Sequence, residues 1–486
     1  MSQRWLNQFL GRSTASSISR RQLLRLGIAA GAGLLSNQNY GAQKSQKKPR
    51  VLIVGAGFSG LACAFELAAA GYEVNVLEAR KRVGGRVISL RDFLPGKVLE
   101  GGGEMLGSNH PHALAYAARF GFEFQNVNDG DDLHTTLIGG KRLTPREIAD
   151  ISVEIDQVQR NMTSDAKAVI ADEPWKTPGA EQFDKLATST WIDRQAISNL
   201  AKALLTVQLT ATNGVAASRQ SYLGNLAQVC GGGLEKYWTD TELFRLKGGN
   251  QQFAERMAQE LGHERVRVDC AVREIRSTES SVTVIDATGQ VHQADDVVLA
   301  IPPSVWPVIK FSPKLPETLN PQMGMNVKFL AVVRDRFWKL HGSHAKATTD
   351  QDISSVWEGT EGQGEEGPAA LVAFSGGPPA ESNHRRAVAD RQPTYVKGLE
   401  QLFPGFQEQF IKGQFMDWIA DAWTRAGYSF PAPGQVTTQG PVFRAGLGRM
   451  HFAGEHTCYQ FVGYMEGALN SGASLARRLA VRDGIA

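Results

Sequence analysis

Three glycines and one glutamate have the residue types and the spacing of a dinucleotide-phosphate site. Gly55, Gly57 and Gly60 form a Gly-x-Gly-x-x-Gly run, and Glu78 stands at the end of the next apolar segment. Gly55 permits a tight turn, Gly57 allows the backbone to approach a pyrophosphate, and Gly60 allows a helix to pack closely on a strand. The N–H groups of the first helical turn, which includes Ser59, would bind phosphate oxygens. Glu78 would accept hydrogen bonds from ribose hydroxyls and disfavours the 2′-phosphate of NADP.

The segments around these residues predict the elements that position them. Residues 50–54 form an apolar run typical of a buried strand, residues 61–70 are rich in Ala and Leu, and residues 72–77 form a second strand. A glycine motif alone is weak evidence. Together with the two strands, the helix and the terminal Glu78, it predicts a β-α-β unit that binds a nucleotide. The glycine content, 51 of 486 residues, suits a chain with several close backbone turns.

A basic turn follows this unit and indicates which dinucleotide binds. Arg80 is followed by the segment 82–86, Arg-Val-Gly-Gly-Arg, in which two arginines flank a Gly-Gly turn and could approach a pyrophosphate from both sides. The segment resembles the R-x-G-G-R segment of the glutathione-reductase-like FAD families, especially the amine oxidases. The resemblance implies FAD as the cofactor, with Arg80 and Arg86 among its ligands.

Two distant segments resemble the remaining parts of the FAD domain in flavin amine oxidases. Residues 265–301 contain predicted strands that end before a Pro-Pro pair, and the resemblance implies that the backbone at Val272 contacts the adenine. Near the C-terminus a Gly-Glu turn precedes a Gly-Tyr-Met-Glu-Gly segment that opens a helix, whose N-terminus would stabilise the negative charge of reduced flavin. The cofactor ligands that this resemblance implies are Gly454, Glu455, Gly463, Tyr464 and Met465.

With these motifs in the same order along residues 48–486, the chain resembles the flavin monoamine oxidase family, which includes monoamine oxidases, polyamine oxidases and L-amino-acid oxidases. The resemblance implies oxidative deamination of an amine or an L-amino acid. Hydride transfer to flavin N5 would give an imine, which hydrolyses to an aldehyde or keto acid and ammonia. Oxygen would then reoxidise the flavin and give H2O2, while the protein positions the substrate and tunes the electrostatics.

Four residues match family positions on the reacting side of the flavin. Lys328 matches the lysine that holds a water against N5, where a buried lysine would assist electron acceptance. Trp418 matches the tryptophan that packs on the isoalloxazine. Tyr428 and Tyr464 match the two aromatic residues that enclose the substrate amine, since two ring faces exclude water and tolerate a cation. By residue type alone, each could equally be a surface lysine or a core aromatic residue.

Two departures from the family pattern bear on the cofactor and the substrate. Gly427 occupies the position of the cysteine that attaches the flavin in some monoamine oxidases, which implies non-covalent FAD. The turn Gly102-Gly103-Glu104-Met105, expected beside the flavin, has Met105 where some amino-acid oxidases place an arginine that clamps the substrate carboxylate. Glu104 adds a negative charge instead. We therefore expect a basic substrate, either an amine or a basic amino acid whose distal cation gains a partner.

The implied fold class is α/β, with a glutathione-reductase-like FAD-binding Rossmann domain interleaved with an α+β substrate-binding domain. The FAD domain is expected to comprise residues 48–107, 240–310 and 440–486. The substrate domain is expected to comprise residues 108–239 and 311–439, with helical stretches that include residues 191–206. No metal site is predicted, because the ten histidines form no cluster with ligand spacing. A homodimer is one candidate assembly.

Residues 1–47 are predicted to form an export leader. Residues 1–50 carry nine Lys or Arg and no Asp or Glu, so the net charge of +3 for the whole chain leaves the remainder at −6. Arg20 and Arg21 precede a short apolar run, which resembles a twin-arginine signal and is too short for a membrane span. We expect a periplasmic or membrane-associated protein whose membrane contact is limited to an uncleaved leader. The acidic remainder does not favour a nucleic-acid partner.

Three alternatives remain open from the sequence. An enzyme of the same fold could pass electrons to a quinone instead of O2. Another oxidoreductase of the superfamily, such as a carotenoid desaturase or a protoporphyrinogen oxidase, is disfavoured by Lys328 and by the segment around Trp418. A non-catalytic flavin-binding scaffold is disfavoured by Lys328 together with Tyr428 and Tyr464.

Overall fold

The computed structural model describes residues 48–127, 133–341 and 343–485, which form a mixed α/β fold. In chain order the strands are β1 (Arg50–Val54), β2 (Glu73–Leu77), β3 (Ser89–Leu94), β4 (Lys97–Glu100), β5 (Phe124–Asn126), β6 (Leu133–Ile138), β7 (Lys141–Arg142), β8 (Phe244–Leu246), β9 (Val266–Arg267), β10 (Val272–Ser277), β11 (Val282–Asp286), β12 (Val291–Ala294), β13 (Asp296–Leu299), β14 (Lys310–Ser312), β15 (Asn326–Val333), β16 (Ser343–Thr349), β17 (Ser355–Glu358), β18 (Ala369–Gly376), β19 (Phe410–Asp417) and β20 (Met450–Phe452). The α-helices are α1 (Phe58–Ala69), α2 (Pro111–Phe120), α3 (Pro145–Ala166), α4 (Ala180–Lys185), α5 (Thr188–Asp193), α6 (Asn199–Asn213), α7 (Tyr222–Gly231), α8 (Tyr237–Asp240), α9 (Gln252–Leu261), α10 (Pro378–Arg385), α11 (Val388–Leu402), α12 (Phe406–Gln409), α13 (Gln435–Ala445) and α14 (Met465–Arg482).

A five-stranded parallel sheet of order β20-β13-β1-β2-β9 forms the layer that holds the glycine motif. Its central strand β1 is buried over residues 51–54, as expected for a parallel strand with both faces covered. The pairing of β1 with β2 and β13 aligns Val54 with Leu77 and Leu299 at the carboxyl ends. Ligands of open α/β sheets bind outside this edge.

Two helices, α1 and α14, cross in close contact over one face of this sheet. A Cβ built on Gly472 of α14 would lie 2.2 Å from the carbonyl oxygen of Ser59 in α1, so the crossing requires glycine. In the first turn of α14, the buried Glu466 carboxylate accepts hydrogen bonds from the backbone N–H groups of His112 at 3.0 Å and Ala113 at 2.9 Å. An acidic group is stabilised at a helix N-terminus, and here it fixes the start of α2.

Asp296 in β13 anchors the last strand and the last helix to the sheet. Its carboxylate lies 2.9 Å from His451 Nε2 and accepts a hydrogen bond from Arg482 Nη2 at 2.7 Å. Burial opposes the charged form, but His451 and Arg482 outweigh it and lower the pKa of Asp296 to about 2. The carboxylate therefore stays ionised and ties β20 and the end of α14 to β13.

A seven-stranded sheet of order β19-β15-β18-β17-β16-β6-β7 forms the second large layer. Its strand β15 is buried along its whole length, so Lys328 lies within a buried strand and the surface alternative for this residue is wrong. A four-stranded sheet, β12-β11-β10-β14, packs beside the parallel sheet. Strand β14 pairs with β10 and continues past residue 310, so the domain boundary expected there falls inside a strand.

Helices α3 to α8 form a helical layer with an apolar core of its own. The predicted helical stretch 191–206 is divided between α5 and α6. The Ser198 side chain accepts a hydrogen bond from the Ala201 N–H at 3.2 Å and caps α6, so the helix begins at Asn199. The predicted leader, residues 1–47, lies outside the described residues. Among the helices that are described, none is long and apolar enough to cross a membrane.

Candidate active site

A long groove runs past the carboxyl ends of the parallel strands and the N-termini of α1 and α14. Most of the residues predicted to bind the cofactor line it, namely Gly55, Gly57, Ser59, Glu78, Arg80, Arg86, Gly102, Gly103, Val272, Gly454, Glu455, Gly463, Tyr464 and Met465. Gly60 lies beneath the groove and supports it. Glu104 and Met105 line an adjoining cavity and not the groove, so their role as cofactor ligands stays a prediction.

The glycine motif separates into two packed positions and one open position. Gly55 has φ +105°, and a Cβ on it would lie 2.7 Å from the carbonyl oxygen of Ala300. A Cβ on Gly60 would lie 2.0 Å from the carbonyl oxygen of Gly55. A Cβ on Gly57 would meet no atom within 4 Å, because this position faces the groove. A bare backbone that faces open space at a helix N-terminus fits a pyrophosphate.

The Glu78 carboxylate is held in place at the end of β2. One oxygen accepts a hydrogen bond from the Ala56 N–H at 2.7 Å, and the other accepts from the Arg80 N–H at 2.8 Å. Each oxygen retains acceptor capacity toward the groove that it lines. The carboxylate thus has acceptor capacity for ribose hydroxyls.

The arginines that flank the Gly-Gly turn have protein partners. Arg86 Nη1 donates to the carbonyl of Gly427 at 2.8 Å and to the Glu455 carboxylate at 2.9 Å. Arg80 Nη2 pairs with Asp421 and donates to Thr424 at 2.8 Å. Both arginines line the groove, but their charge is partly neutralised by these carboxylates. The helix N-termini therefore carry more of the anion-binding capacity than the sequence alone suggested.

Glu455 joins three segments around the groove. Besides its contact with Arg86, it accepts hydrogen bonds from Ser429 Oγ at 2.6 Å and from the Gly463 N–H at 2.9 Å. Its carboxylate therefore links the turn after β2, the segment near residue 429 and the start of α14. The Gly-Glu motif has a framework role here, in addition to lining the groove.

Sequence analysis missed His456, although it directly follows this motif. The ring lines the groove and is 3% exposed, and its two nitrogens have no hydrogen-bond partner among the described residues. Burial lowers the pKa of His456 to about 4, so the ring is neutral near pH 7. It can offer one N–H donor and one acceptor to a ligand.

Three potential metal ligands come together beside Val272. Their ligand atoms, from Cys270, Asp286 and His292, lie within 4.8 Å of one another. Asp286 lies 3.0 Å from His292 Nε2 and accepts a hydrogen bond from the Cys270 thiol at 3.5 Å. Burial raises the pKa of Cys270 to about 11, so without a bound cation the group holds a neutral thiol. Mutual hydrogen bonds hold the three side chains together.

A second cavity of about 340 Å³ opens from the groove and lies between the seven-stranded sheet and the helical layer. Tyr428, Tyr464 and Lys328 line both spaces and mark their junction. The Tyr428 hydroxyl donates to the carbonyl of Ala211 at 2.9 Å, and the Tyr464 hydroxyl lies 3.5 Å from that of Tyr237. Burial raises the pKa of both Tyr428 and Tyr464, so both rings stay neutral. The junction thus presents two neutral aromatic residues and one buried amine.

Lys328 belongs to a buried ionic network beneath this junction. Its Nζ donates to the Glu104 carboxylate at 2.6 Å and to the carbonyl of Gly102 at 2.7 Å. The other oxygen of Glu104 accepts from Arg245 Nε at 2.9 Å and from Trp357 Nε1 at 2.8 Å. Burial opposes the charge on Glu104, but Lys328 and Arg245 outweigh it and lower its pKa.

This network overturns the expectation that Glu104 pairs with a substrate cation. Both of its oxygens are occupied by Lys328, Arg245 and Trp357, and its side chain is only 3% exposed. Sequence analysis did not anticipate Arg245, because β8 is far from Glu104 along the chain. The cavity has a different open carboxylate, that of Glu242, which lies between α8 and β8.

Trp418 and Gly427 line the groove on the side of the second domain. Trp418 Nε1 donates to the carbonyl of Gly101 at 3.0 Å, and a Cβ on Gly102 would lie 3.1 Å from the Trp418 ring. A Cβ on Gly427 would lie 1.7 Å from Asn326 Oδ1, so no side chain fits there without movement. This position therefore cannot present a cysteine sulfur to a flavin in the present arrangement.

Comparisons with known proteins agree with this geometry. The family profile described as "Flavin containing amine oxidoreductase" matches residues 58–480. The flavin-containing amine oxidase B of Bos taurus is 29% identical over 454 residues, covering 88% of this chain and 85% of that protein. A structure of putrescine oxidase bound to putrescine aligns with a TM-score of 0.80 at 26% identity, covering 90% of this chain and 99% of that one. Cyclohexylamine oxidase from Brevibacterium oxydans IH-35A aligns with a TM-score of 0.78 at 25% identity, covering 90% and 100%.

These matches confirm the fold predicted from the sequence, a Rossmann domain that binds FAD joined to a substrate-binding domain. The groove fits that cofactor, because Gly57 is open, Glu78 is fixed toward it and two helix N-termini face it. The clash at Gly427 agrees with non-covalent binding. FAD is its cofactor, and the chain belongs to the family of flavin-containing amine oxidoreductases.

Proposed function

We propose that this enzyme oxidatively deaminates a small cationic amine and gives an aldehyde, ammonia and H2O2. The observation that supports this most directly is the junction of groove and cavity, where Tyr428, Tyr464 and Lys328 come together. An amine that enters the cavity would meet the cofactor between the two tyrosines. When bound, the flavin supplies the hydride acceptor and is reoxidised by O2.

The residues at the junction have distinct roles in this proposal. Tyr428 and Tyr464 exclude water and orient the amine with neutral aromatic faces, which tolerate a cation and do not trap it as an ion pair. Lys328 is fixed at the junction, because its Nζ donates a hydrogen bond to the Glu104 carboxylate. Trp418 is held by its hydrogen bond to Gly101 and limits the space available to the cofactor.

An L-amino acid is a less suitable substrate on the same evidence. Met105 lines the cavity and cannot bind a carboxylate. Lys328 is already paired with Glu104, and Lys346, the other lysine of this wall, also has a partner. The Glu242 carboxylate adds negative charge to the cavity and would repel an α-carboxylate.

Anaerobic reduction of the bound flavin tests the proposal. The purified protein would be mixed with amines, diamines and L-amino acids without oxygen, and the loss of the flavin absorbance near 450 nm would be recorded. We expect bleaching by amines, and recovery of the absorbance when air is admitted. Bleaching by neutral L-amino acids alone would contradict the proposal. Recovery with a quinone but not with air would identify a dehydrogenase.

The leader predicted from the sequence suggests where this reaction would take place. We propose export in the folded, FAD-loaded state to the periplasm, with membrane association only if the leader is retained. Cell fractionation of the chain and of a variant in which both Arg20 and Arg21 are replaced by Lys would test this. Equal amounts outside the cytoplasm for both chains would contradict the proposal.

A further inference from the structure

One carboxylate in the substrate cavity has no protein partner. Glu242 lies in the loop between α8 and β8 and lines the cavity together with Tyr237, Tyr428 and Tyr464. Within the described part of the chain its carboxylate makes no hydrogen bond or ion pair. We propose that Glu242 binds the second cationic group of the substrate, which makes the preferred substrate an α,ω-diamine. This inference rests on the proposed function of amine oxidation.

The other acidic residues of the cavity do not offer the same binding site. Both oxygens of Glu104 are occupied by Lys328, Arg245 and Trp357. Glu361 lines the same cavity, but it already has an interaction within the protein. Glu242 is therefore the carboxylate with free acceptor capacity on the described wall.

The Glu242 side chain is exposed to the cavity that it lines, and nearby groups act on its charge. Protein atoms around the cavity and the nearby charge of Glu104 raise the pKa of Glu242, although Lys328 and Lys346 act in the opposite direction. Burial raises the pKa of Tyr237 to about 12, and the charge of Glu242 adds to that effect. A carboxylate that lines the cavity without a direct hydrogen-bond partner can form a charge-assisted hydrogen bond with a ligand cation.

The position of Glu242 fits a molecule that is cationic at its far end. The reacting amine belongs at the junction with the groove, between Tyr428 and Tyr464, where it must be neutral to be oxidised. Glu242 lies on the wall of the same cavity and can take a second ammonium group while the first one reacts. A monoamine leaves Glu242 unpaired, and an amino acid brings a second negative charge beside it.

Steady-state kinetics with a matched pair of substrates test this inference. The substrates are 1,4-diaminobutane and butylamine, which differ only in the second amine. The variants are Glu242→Gln and, as a control in the same cavity, Glu361→Gln. We expect the wild-type protein to prefer the diamine, and Glu242→Gln to lower kcat/KM for the diamine roughly 10- to 100-fold, mainly through KM. Butylamine turnover should change less than about twofold, and Glu361→Gln should retain the diamine preference.

Three results would overturn the inference. They are equal kcat/KM values of the wild-type protein for both substrates, an unchanged diamine preference in Glu242→Gln, and a loss of that preference in Glu361→Gln. The comparison of the two substrates with the wild-type protein needs no variant, so it remains valid even if Glu242→Gln fails to fold. Flavin content and melting temperature would show whether that variant folds. If the wild-type protein oxidises no amine at all, the proposed function itself fails. If it oxidises butylamine as well as the diamine, only the assignment of Glu242 fails.

Discussion

Removal of the Lys328 ammonium probes the ionic network at the junction. The variant Lys328→Met keeps the length of the side chain but removes its contacts with Glu104 at 2.6 Å and with the Gly102 carbonyl at 2.7 Å. The two charged side chains are only 8% and 3% exposed. Breaking a buried ion pair by removing one partner costs about 3–5 kcal/mol. Arg245 and Trp357 still compensate the charge on Glu104, so we expect a loss of about 3 kcal/mol, at the lower end of this range.

A double-mutant cycle isolates the contribution of the pair. The chains are the wild-type protein, Lys328→Met, Glu104→Gln and the double variant, each with FAD bound. Urea unfolding followed by tryptophan fluorescence gives their free energies of unfolding. The double variant should be less destabilised than the sum of the single variants by about 2 kcal/mol, because each single variant leaves a buried charge without its partner. Additivity within about 0.5 kcal/mol would refute the reasoning.

The pH dependence of the same variant provides a second measurement. Because the pKa of Glu104 is lowered in the folded protein, its contribution to stability is present above the ordinary glutamate pKa and is lost as pH falls through the lowered value. Without Lys328, only Arg245 and Trp357 oppose the effect of burial on the Glu104 carboxylate, so the pKa of Glu104 rises. The difference in stability between the wild-type protein and Lys328→Met should therefore narrow as the pH falls from neutral to below the ordinary glutamate pKa. A constant difference would show that the charge of Glu104 is not involved.

In flavin assays, Lys328→Met should retain FAD but slow its reduction or reoxidation.

Three further predictions concern the groove and its support. Gly57→Ala should keep the melting temperature of the apoprotein but lower the flavin-to-protein absorbance ratio, because its Cβ would meet no protein atom within 4 Å. Gly55→Ala should lower both the melting temperature and the absorbance ratio, because its Cβ would lie 2.7 Å from a backbone oxygen. Gly427→Cys should lower the melting temperature because of the 1.7 Å approach to Asn326, and acid precipitation should still leave all the flavin in the supernatant. Asp296→Asn should lower the free energy of unfolding by about 2 kcal/mol at neutral pH, as measured by urea titration. Because the pKa of Asp296 in the folded protein is about 2, this loss should vanish as the pH falls from about 4 toward about 2.

The sequence was sufficient to predict the parallel sheet and the cofactor groove. Glycine spacing, apolar runs and the terminal Glu78 are local signals, and the structure places Gly57 and Glu78 in the groove. The interior of the substrate cavity could not be predicted in the same way. Arg245 reaches Glu104 only because β8 folds beside the glycine turn, and that contact removed the role expected for Glu104. Glu242 belongs to no sequence motif. An unpaired carboxylate can be recognised as a candidate binding residue only when the structure shows what surrounds it.

Strand β20 forms one edge of the parallel sheet and pairs with β13, although the two strands are far apart in the sequence. The groove also needs Glu455 and the start of α14, both of which come after that strand. A nascent chain that emerges from the ribosome therefore exposes the edge of β13 until the segment that forms β20 has been synthesised. Such long-range pairing is intrinsically slow, and an uncovered strand edge favours aggregation. Flavin loading must accordingly follow synthesis of Glu455 and the start of α14, and the supply of FAD after that point should govern the yield of active enzyme.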